Sequence, residues 1–434
     1  MAAARLLSRV APSHGSKLWR SFAARRGLTA RVAAAAHRVR TPSRPLVWMH
    51  APSVGEGLQA RPVAHALRAR HPEVQLAYTF FSPSAEPFAP TIGADITDYL
   101  PFDSARDADA MLDALQPTVL VFVKLDVWPT LVARAAARNI PVALLSGTVA
   151  PRSGRRGLFS RLLLREAYAA LQGVGAIDAG HAERLRALGV RPAVLEITGD
   201  TRFDQVWAKA ERVDRAQPLL QQLAGGRPTL VAGSTWPADE AVLLPAFAAL
   251  VASWPHDTPA PRLIIAPHEP TAAHLAPLLD WARQGGLRAV TLSEAQTMPS
   301  ASASEDTVQS DHDVIVVDRV GVLGDLYALA DVAYVGGGFH AAGLHSVIEP
   351  AAFGVPVLFG PRHDMSREAG LLLAAGGAVV AHDSTALIAA LHQWFDHADV
   401  RAAAGHAARA LVARELGATE RSVQLVQRLL HAPR

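Results

Sequence analysis

The stretch that decides the fold runs from Tyr334 to His340 (YVGGGFH) and, after a short loop, from Gly343 to Ala351 (GLHSVIEPA). An apolar strand ends in three glycines, and the pattern predicts a helix that starts near His345 or Ser346. Glycines allow a backbone to approach a ligand closely, and a helix N-terminus offers unpaired N–H groups to a phosphate. The stretch therefore predicts a strand–turn–helix unit with a nucleotide site.

Short apolar runs alternate with helical patterns on both sides of this unit, which is typical of repeated βα units and a parallel sheet. The predicted strands of a first series are 46–50, 75–79, 118–123, 142–145, 174–177 and 194–198. Those of a second series are 229–232, 262–266, 314–317, 332–335 and 355–359. Predicted helices include 57–70, 107–115, 131–138, 238–253, 270–284 and 323–329.

The two series predict two domains. The polar stretch 204–223 and the Gly-Gly-Arg-Pro sequence at 225–228 interrupt the alternation and indicate a hinge, whereas 293–313 indicates an exposed loop. We expect a basic N-terminal segment (1–45), an N-terminal domain (46–205), a linker (206–228) and a C-terminal domain (229–434). Each domain would be a doubly wound, Rossmann-like α/β unit, and ligands would bind in the cleft that the two domains face.

Composition excludes several kinds of chemistry. The 434 residues include no cysteine, which rules out disulfides, Cys-ligated metals and thiol catalysis. Residues 1–45 hold ten Lys and Arg and no acid, so the remaining chain has 32 basic against 39 acidic residues. A mildly acidic body does not favour nucleic-acid binding. The sequence also contains no run of 18 apolar residues that would span a bilayer.

The basic segment 1–45 has three interpretations. Apolar residues such as Leu18, Trp19 and Phe22 alternate with arginines, as in a helix that lies on anionic lipid. A disordered basic tail is about equally compatible with the pattern. An organellar transit peptide, which is rich in Arg and poor in acids, is the third.

The stretch WMHAPSVGEG at 48–57 follows the first predicted strand. A carboxylate at this position, Glu56, is placed to accept a proton. Ser53 and Glu56 also have the spacing of a helix capping box. A helix starting there would carry Pro62 at its ninth position, at a cost of about 3 kcal/mol or a kink. The sequence therefore favours a loop Glu56 ahead of a later helix.

Glu349 has two interpretations as well. It could serve the dipole of its own helix, or it could accept two hydrogen bonds from a ribose diol. The spacing of His345 and Glu349 within the glycine-rich context favours the nucleotide site.

At this point the motifs resemble those of a known family. The chain is similar to the 3-deoxy-D-manno-oct-2-ulosonic acid (Kdo) transferases, which are inverting glycosyltransferases of the GT-B fold, and the resemblance covers about residues 46–380. The matching stretches are WMHAPSVGE (48–56), YLPFD (99–103), GDTRFD (199–204), GSTW (233–236), IAPHEP (265–270), the GxHNxxEP-like stretch 343–350 and FGP (359–361).

The resemblance implies roles for individual residues. Glu56 would be the catalytic base, with Asp126 as a second catalytic candidate and with Ser53, Gly55 and Lys124 on the acceptor side. The donor CMP-Kdo would be bound by Pro267, His268, Gly321, Val322, Leu323, Gly343, His345, Ser346 and Glu349. No cofactor or metal is expected, because the leaving group is good and positioning can carry the reaction.

The chain departs from the family pattern in places. The family's ETELWP reads Lys124-Leu125-Asp126-Val127-Trp128-Pro129 here, and its NARLS reads Ser146-Gly147-Thr148-Val149-Ala150. Its MGEL segment is matched to Gly321-Val322-Leu323, without the acid. The basic segment stands where the family has a membrane anchor. These departures concern the acceptor side more than nucleotide binding.

The resemblance implies transfer of Kdo from CMP-Kdo to a lipid A precursor during lipopolysaccharide synthesis. The enzyme would work at an anionic membrane surface, on the cytoplasmic face of the bacterial inner membrane, without nucleic-acid partners. One alternative is a GT-B transferase with a related donor or another acceptor. The other is a nucleotide-binding relative that has lost catalysis and acts as a scaffold.

Overall fold

A computed structural model describes residues 12, 16–151, 153, 158–297 and 312–432. The chain divides into two compact units. Unit 1 comprises the described residues up to Gln205 together with those from Glu415 onward, and unit 2 comprises Val206–Arg414. Most of the predicted loop 293–313, and residues 1–11 and 13–15 of the basic segment, lie outside the described residues.

Unit 1 is built around seven strands with helices between them. The strands are β1 (Leu46–His50), β2 (Gln75–Phe80), β3 (Ile96–Tyr99), β4 (Val119–Val123), β5 (Val142–Gly147), β6 (Gly173–Ala176) and β7 (Leu195–Ile197). The helices are α1 (Lys17–Ala24), α2 (Leu28–Val39), α3 (Val54–Arg70), α4 (Ala105–Leu115), α5 (Pro129–Ala136), α6 (Leu158–Ala169), α7 (Ala179–Leu188) and α8 (Thr201–Arg212), which continues into unit 2.

Its sheet is parallel throughout, in the order β3-β2-β1-β4-β5-β6-β7. Every residue of β1, β2, β4 and β5 is buried, as expected where helices cover both faces of a parallel sheet. This explains why these strands read as continuous apolar runs in the sequence. The strand order reverses between β1 and β4, so this pair forms the topological switch point of unit 1.

Unit 2 contains a second set of seven strands. They are β8 (Thr229–Thr235), β9 (Arg262–Pro267), β10 (Ala289–Thr291), β11 (Val314–Val316), β12 (Val332–Val335), β13 (Val357–Phe359) and β14 (Ala378–Val380). The helices are α9 (Pro218–Leu223), α10 (Pro237–Ala252), α11 (Ala272–Gln284), α12 (Leu292–Thr297), α13 (Leu323–Leu326), α14 (Ile348–Ala352), α15 (Arg367–Ala375), α16 (Ser384–Asp396) and α17 (Ala398–Arg414).

The sheet of unit 2 is also parallel, in the order β10-β11-β9-β8-β12-β13-β14. Its switch point lies between β8 and β12. Two apolar clusters cover its faces, one including Phe247 and Trp394 and the other including Leu220 and Tyr327. The prediction of two doubly wound α/β units is confirmed.

The basic N-terminal segment differs from the expected separate tail. Residues 17–39 form α1 and α2, and the latter buries Leu28, Val32 and Ala36 in the core of unit 1. Arg25, between the helices, is 6% exposed and donates to the carbonyls of Leu100 at 2.8 Å and Phe81 at 3.0 Å. Burial lowers the pKa of Arg25 to about 10. This part of the segment is therefore neither a disordered tail nor separable from unit 1.

The C-terminal boundary and the linker also differ from expectation. The last helix, α18 (Ala418–Leu430), packs on α3 and β6 of unit 1 and contributes Val423, Leu425 and Val426 to its core. Asp204 holds the start of this helix, since its carboxylate accepts from the amides of Gly417 and Thr419. The expected linker 206–228 is largely helical, as the end of α8 and as α9.

Candidate functional site

The two candidate glutamates follow the switch-point strands of the two sheets. In unit 1, Glu56 follows β1 and Lys124 follows β4 directly. In unit 2, Trp236 follows β8, and the glycine-rich turn that begins at Gly336 follows β12. Ligands of open α/β sheets bind in the crevice outside the carboxyl ends of such strands. Each unit therefore presents one candidate site.

Glu56 and Lys124 form an ion pair in unit 1. Lys124 Nζ lies 2.9 Å from Glu56 Oε1, while the hydroxyl of Ser53 donates to Glu56 Oε2. The Glu56 side chain is 15% exposed and that of Lys124 is 45% exposed. Apart from the neighbouring residues and the backbone of its own helix, a Cβ added at Gly55 would have one described atom within 4 Å, Ser53 Oγ at 3.9 Å. The carboxylate thus lies in a partly open turn.

Two opposing effects set the pKa of Glu56. Burial favours the neutral acid and raises the pKa, but the hydrogen bond from Ser53 and the charge and hydrogen bond of Lys124 lower it by more. The net pKa lies below the ordinary value for a glutamate. Glu56 is therefore ionised at neutral pH and can accept a proton.

The expectation that Glu56 precedes its helix is wrong. α3 starts at Val54 with Ser53 at the N-cap, and Pro62 lies inside it. The carbonyls around Pro62 find other donors: Thr201 Oγ1 donates to Gln59 O at 2.8 Å, and the Gln205 amide, oriented to satisfy both of its polar atoms, donates to Leu58 O at 2.8 Å. These hydrogen bonds offset part of the cost of an interior proline.

Asp126 contacts a different set of side chains. Its Oδ2 accepts from Trp128 Nε1 at 3.0 Å and lies 3.6 Å from Nε2 of the buried His50. The other ring nitrogen of His50 contacts Thr79 O at 2.9 Å. Lys124 itself has a φ of 71°, a backbone conformation that is uncommon for a residue with a side chain and that clusters at functional sites.

Tyr78 lies close to the start of α3, where a Cβ added at Gly57 would be 2.9 Å from its hydroxyl, and it was not among the predicted site residues. Its ring is fully buried, and among the described residues its hydroxyl has no hydrogen-bond partner. Burial, and to a lesser extent the negative charge of Glu56, raise its pKa. Only the position of Tyr78 on β2, next to β1, could have suggested it.

In unit 2, the glycine-rich turn is held by one buried carboxylate. Asp239 accepts hydrogen bonds from the amides of Gly337 at 2.8 Å and Phe339 at 3.1 Å, and from the hydroxyl of Tyr334 at 3.2 Å. Gly337 has a φ of 94°, and an added Cβ would lie 2.1 Å from Gly343 O. This glycine therefore serves close packing of the turn on itself.

Three of the histidines in this unit gather around Trp236. The Trp236 ring stacks on His340, with centroids 4.1 Å apart, and on His268 at 4.6 Å. Its Nε1 donates to His345 Nε2 at 3.1 Å. Burial, together with the charge of His268, lowers the pKa of His345. The structure thus brings together two of the predicted donor-site residues, His268 and His345, and adds Trp236 and His340.

The helix expected to start near His345 starts at Ile348 instead and has only five residues. Glu349 is its second residue, and Ser346 lies in the preceding turn. Burial raises the pKa of Glu349, while the charge of Lys209 and a hydrogen bond from Ser346 oppose that shift. Burial outweighs these two effects, so the net pKa of Glu349 lies above the ordinary value for a glutamate.

The segment Gly321-Val322-Leu323 leads into α13, whose sequence is Leu323-Gly324-Asp325-Leu326. This turn retains the acid that the sequence comparison took to be lost from MGEL, since it contains Asp325. Lys209 Nζ lies 3.5 Å from Asp325 Oδ1. Lys209 lies within the expected linker and was therefore not among the predicted site residues. Pro267 ends β9 directly before His268.

Two kinds of feature are absent from the part of the chain that the structure describes. Residues 16–151, 158–297 and 312–432 include no group of three or more His, Asp or Glu side chains arranged to hold a metal ion. Over the same residues, no helix has both the length and the apolar character needed to cross a bilayer.

Sequence comparisons point in one direction. Residues 20–205 match the family described as 3-deoxy-D-manno-octulosonic-acid transferase (kdotransferase). The chain is 33% identical over 420 residues to 3-deoxy-D-manno-octulosonic acid transferase of Bordetella pertussis, covering 94% of this chain and 92% of the relative. It is 25% identical over 387 residues to the enzyme of that name from Haemophilus influenzae, covering 88% and 86%.

Solved structures share the fold at low sequence identity. UDP-GlcNAc 2-epimerase from Neisseria meningitidis, bound to UDP-GlcNAc, matches with a TM-score of 0.59 and 13% identity, covering 88% of this chain and all of that one. A glycosyltransferase from Rickettsia africae matches with a TM-score of 0.55 and 9% identity, covering 90% and 100%. These likenesses establish a GT-B type α/β fold.

Proposed function

The chain belongs to the 3-deoxy-D-manno-octulosonic acid (Kdo) transferase family, and we propose that it moves Kdo from CMP-Kdo to a glucosamine hydroxyl of a lipid A precursor. It is a glycosyltransferase of lipopolysaccharide synthesis. One observation carries the proposed mechanism: Glu56, the carboxylate of the family motif, is ionised and partly open at the β1–β4 switch point.

Glu56 acts as the general base in this proposal. Its Oε atoms accept the proton of the glucosamine hydroxyl as that oxygen forms a bond to the anomeric carbon of Kdo. The bond from that carbon to the phosphate oxygen breaks, and CMP leaves with the electron pair. Since attack and departure occur on opposite faces, the anomeric configuration inverts. General-base catalysis of this kind contributes about 10² to 10⁴ in rate.

Unit 2 binds the CMP portion of the donor. Glu349 accepts hydrogen bonds from the ribose hydroxyls. The turn from Gly343 to Ser346 and His268 lie at the phosphate. The segment from Gly321 to Leu323 lies at the cytosine base. The cluster of His268 and His345 on Trp236, and the Asp239 hydrogen bonds that fix the glycine-rich turn, support this assignment. Hydrogen-bond donors that are held in position in this way stabilise the negative charge that develops on the phosphate as CMP leaves.

The position of Lys124 favours a second candidate function, in which the enzyme uses a different acceptor molecule. It occupies a position where the family has an acid, and it pairs directly with Glu56. An ammonium group there attracts an anionic group on the incoming acceptor. A transferase with an acceptor unlike the usual lipid A precursor is therefore the alternative function.

We also propose that α1 binds an anionic membrane at the cytoplasmic face of the bacterial inner membrane. Phe22 packs on Phe102 of unit 1, with ring centroids 5.6 Å apart, whereas Leu18 is 64% exposed and Trp19 is 38% exposed. Exposed Arg20 lies beside them. Apolar side chains with adjacent positive charge fit an anionic lipid surface. Residues Leu18, Trp19 and Arg20 are called the α1 patch below.

The decisive experiment incubates the protein with CMP-Kdo and a lipid A precursor and measures the lipid mass. We expect a gain of one or more Kdo residues and the release of CMP. A protein that binds CMP but transfers nothing to this acceptor or to a panel of glucosamine-containing acceptors is a scaffold relative, which contradicts the proposal.

A further inference from the structure

Trp236 lies at the centre of the histidine cluster of unit 2. The planes of its ring and of the His340 ring are nearly parallel, 8° apart, and the angle to the His268 ring is 27°. Its one polar side-chain atom, Nε1, lies 3.1 Å from Nε2 of His345. The indole therefore contacts all three histidines, and its N–H donates to His345.

The direction of this hydrogen bond determines where His345 carries its proton. An indole N–H is a donor and cannot accept a hydrogen bond. Nε2 of His345 must therefore present its lone pair, and a neutral imidazole then holds its single proton on Nδ1. A histidine that is free in water mostly adopts the opposite tautomer, with the proton on Nε2. The contact with Trp236 thus selects the less common form of the ring.

Both partners of the hydrogen bond are held through their main chains. The amide of Trp236 donates to Asp239 Oδ2 at 3.0 Å, and the same oxygen accepts from the amide of Gly337 in the glycine-rich turn. The amide of His345 donates to the carbonyl of Gly336 at 3.1 Å. Trp236 and His345 are therefore tied to the same turn, which keeps their rings at hydrogen-bond distance.

The groups around His345 favour a neutral ring. His268 lies next to it, with ring centroids 4.5 Å apart, and a positive charge on one ring disfavours a charge on the other. Burial, followed by the charge of His268, lowers the pKa of His345, while the charge of Asp239 opposes this shift without reversing it. Nδ1 of His340 accepts from the amide of Ala342 at 3.1 Å, so its proton lies on Nε2. His345 is therefore a neutral donor through Nδ1–H.

We propose that Trp236 is a positioning residue of the nucleotide site: its indole N–H holds His345 in the tautomer whose Nδ1–H donates to the nucleotide phosphate. This inference rests on the proposed binding of CMP by unit 2. Trp236 acts through His345 and does not itself contact the phosphate. Without the indole N–H, the ring can return to the Nε2–H tautomer, and Nδ1 then presents a lone pair that repels the phosphate oxygens.

The first test measures the tautomer of His345 in the full-length wild-type protein without ligand. In protein labelled with ¹⁵N-histidine, two-bond ¹H–¹⁵N correlation spectra distinguish a protonated Nδ1 from a protonated Nε2, and His345→Gln identifies the signals. At about pH 8, where histidine is neutral, we expect the proton on Nδ1. Addition of CMP, but not of cytidine, should shift this signal. A proton on Nε2, or no shift with bound CMP, overturns the inference.

The second test uses Trp236→Phe, which keeps an aromatic ring for stacking and removes the N–H. We expect the His345 signals to move toward the Nε2–H form. Calorimetry should show CMP affinity reduced about three- to tenfold, the range for one hydrogen bond, and unchanged affinity for cytidine, which lacks the phosphate. Trp254→Phe is the matched control, because Nε1 of Trp254 has no hydrogen-bond partner among the described residues. It should change neither affinity nor the His345 tautomer.

A double substitution tests whether Trp236 acts through His345. In a His345→Ala background, Trp236→Phe should cause no additional loss of CMP affinity, since the two residues act in one chain of interactions. An additional loss as large as in the wild-type background would mean that Trp236 acts on the nucleotide without His345, which overturns the inference.

The remaining outcomes separate this inference from the proposed function. The inference is overturned if Trp236→Phe weakens CMP and cytidine equally, weakens CMP with an unchanged His345 tautomer, or changes the tautomer without weakening CMP. A wild-type protein that has the expected tautomer but binds no CMP contradicts the proposed function instead. If thermal unfolding shows that Trp236→Phe does not fold, the wild-type tautomer and its response to CMP decide the result.

Discussion

The β1–β4 switch point of unit 1 and the β8–β12 switch point of unit 2 each lead to a carboxylate near a lysine, yet the two carboxylates differ. Lys124 contacts Glu56 directly, and the pKa of Glu56 is lowered. Lys209 contacts Asp325 instead, and burial dominates to raise the pKa of Glu349. The same topology thus places a carboxylate with a lowered pKa in one unit and a carboxylate with a raised pKa in the other, in line with the different roles proposed for them.

The strongest test of this contrast is Glu56→Gln. We expect transfer of Kdo to fall by about 10² to 10⁴, because the amide cannot take the acceptor proton, while CMP affinity stays unchanged. Lipid mass spectrometry and calorimetry measure the two quantities. Glu73→Gln, at an exposed glutamate just beyond α3, serves as the control. Wild-type turnover in Glu56→Gln would contradict the base assignment.

The corresponding change in unit 2, at Glu349, should weaken CMP binding, whereas Glu56→Gln should leave it unchanged. Glu349→Ala is expected to weaken CMP binding by about 1.5 to 3 kcal/mol, the range for hydrogen bonds to a charged group, without loss of fold. Calorimetry with CMP measures it, and Glu294→Ala, at an exposed glutamate in α12, is the control. An unchanged dissociation constant would show that Glu349 serves only its own helix.

Substitution of Lys124 tests whether this lysine causes the difference in pKa between Glu56 and Glu349. In Lys124→Met the pKa of Glu56 rises, because an opposing charge is lost and burial remains. The base is active when ionised, so activity disappears as pH falls through this pKa, and the acid limb of kcat/KM should move to higher pH. Lys124→Glu should move it further, since two carboxylates then adjoin.

Two outcomes of these measurements would contradict the role of Lys124. An acid limb that stays in place in Lys124→Met would mean that Lys124 does not control Glu56. Higher activity in Lys124→Glu on a lipid A precursor would mean that the lysine obstructs the usual acceptor.

The smallest effect is expected at the α1 patch of unit 1, whose role measurements of CMP affinity do not test. Replacing Leu18 and Trp19 with serine should reduce binding to anionic vesicles several-fold, with little change in stability or CMP affinity. Co-sedimentation with vesicles, with and without anionic lipid, measures it. Equal binding of variant and wild type would place the membrane contact elsewhere. Deleting 1–44 is not equivalent, because it removes the buried side chains of α2.

Much of the fold could be predicted because buried parallel strands are apolar along their length. β1, β2, β4, β8, β9 and β12 were all predicted within a few residues. The missed strands, β3, β10 and β14, are all at sheet edges. They have only three or four residues, and the two middle residues of β3 are not buried, so their apolar signal is short.

Residues of the candidate site could be predicted where a motif follows a strand end. Residues that depend on contacts between distant segments of the chain could not. Glu56 and Glu349 follow from their motifs. The start of α3 was missed because the cost of Pro62 was counted without the side chains of Thr201 and Gln205, which lie about 140 residues further along the chain. Lys209 was missed because a polar helix between two apolar series reads as a linker.

The placement of α18 has a consequence for how this protein is made. Unit 1 takes the core helix α18 from residues that follow all of unit 2 in the chain. During synthesis, unit 2 can be completed while unit 1 still lacks the side chains of Val423, Leu425 and Val426. The face of β6 at Gly173, where an added Cβ would lie 2.7 Å from Leu425, stays uncovered until then. Domains generally fold as units in order of emergence from the ribosome. Here unit 1 begins before unit 2 but is completed after it, so nascent chains expose apolar surface at unit 1 until α18 has been made.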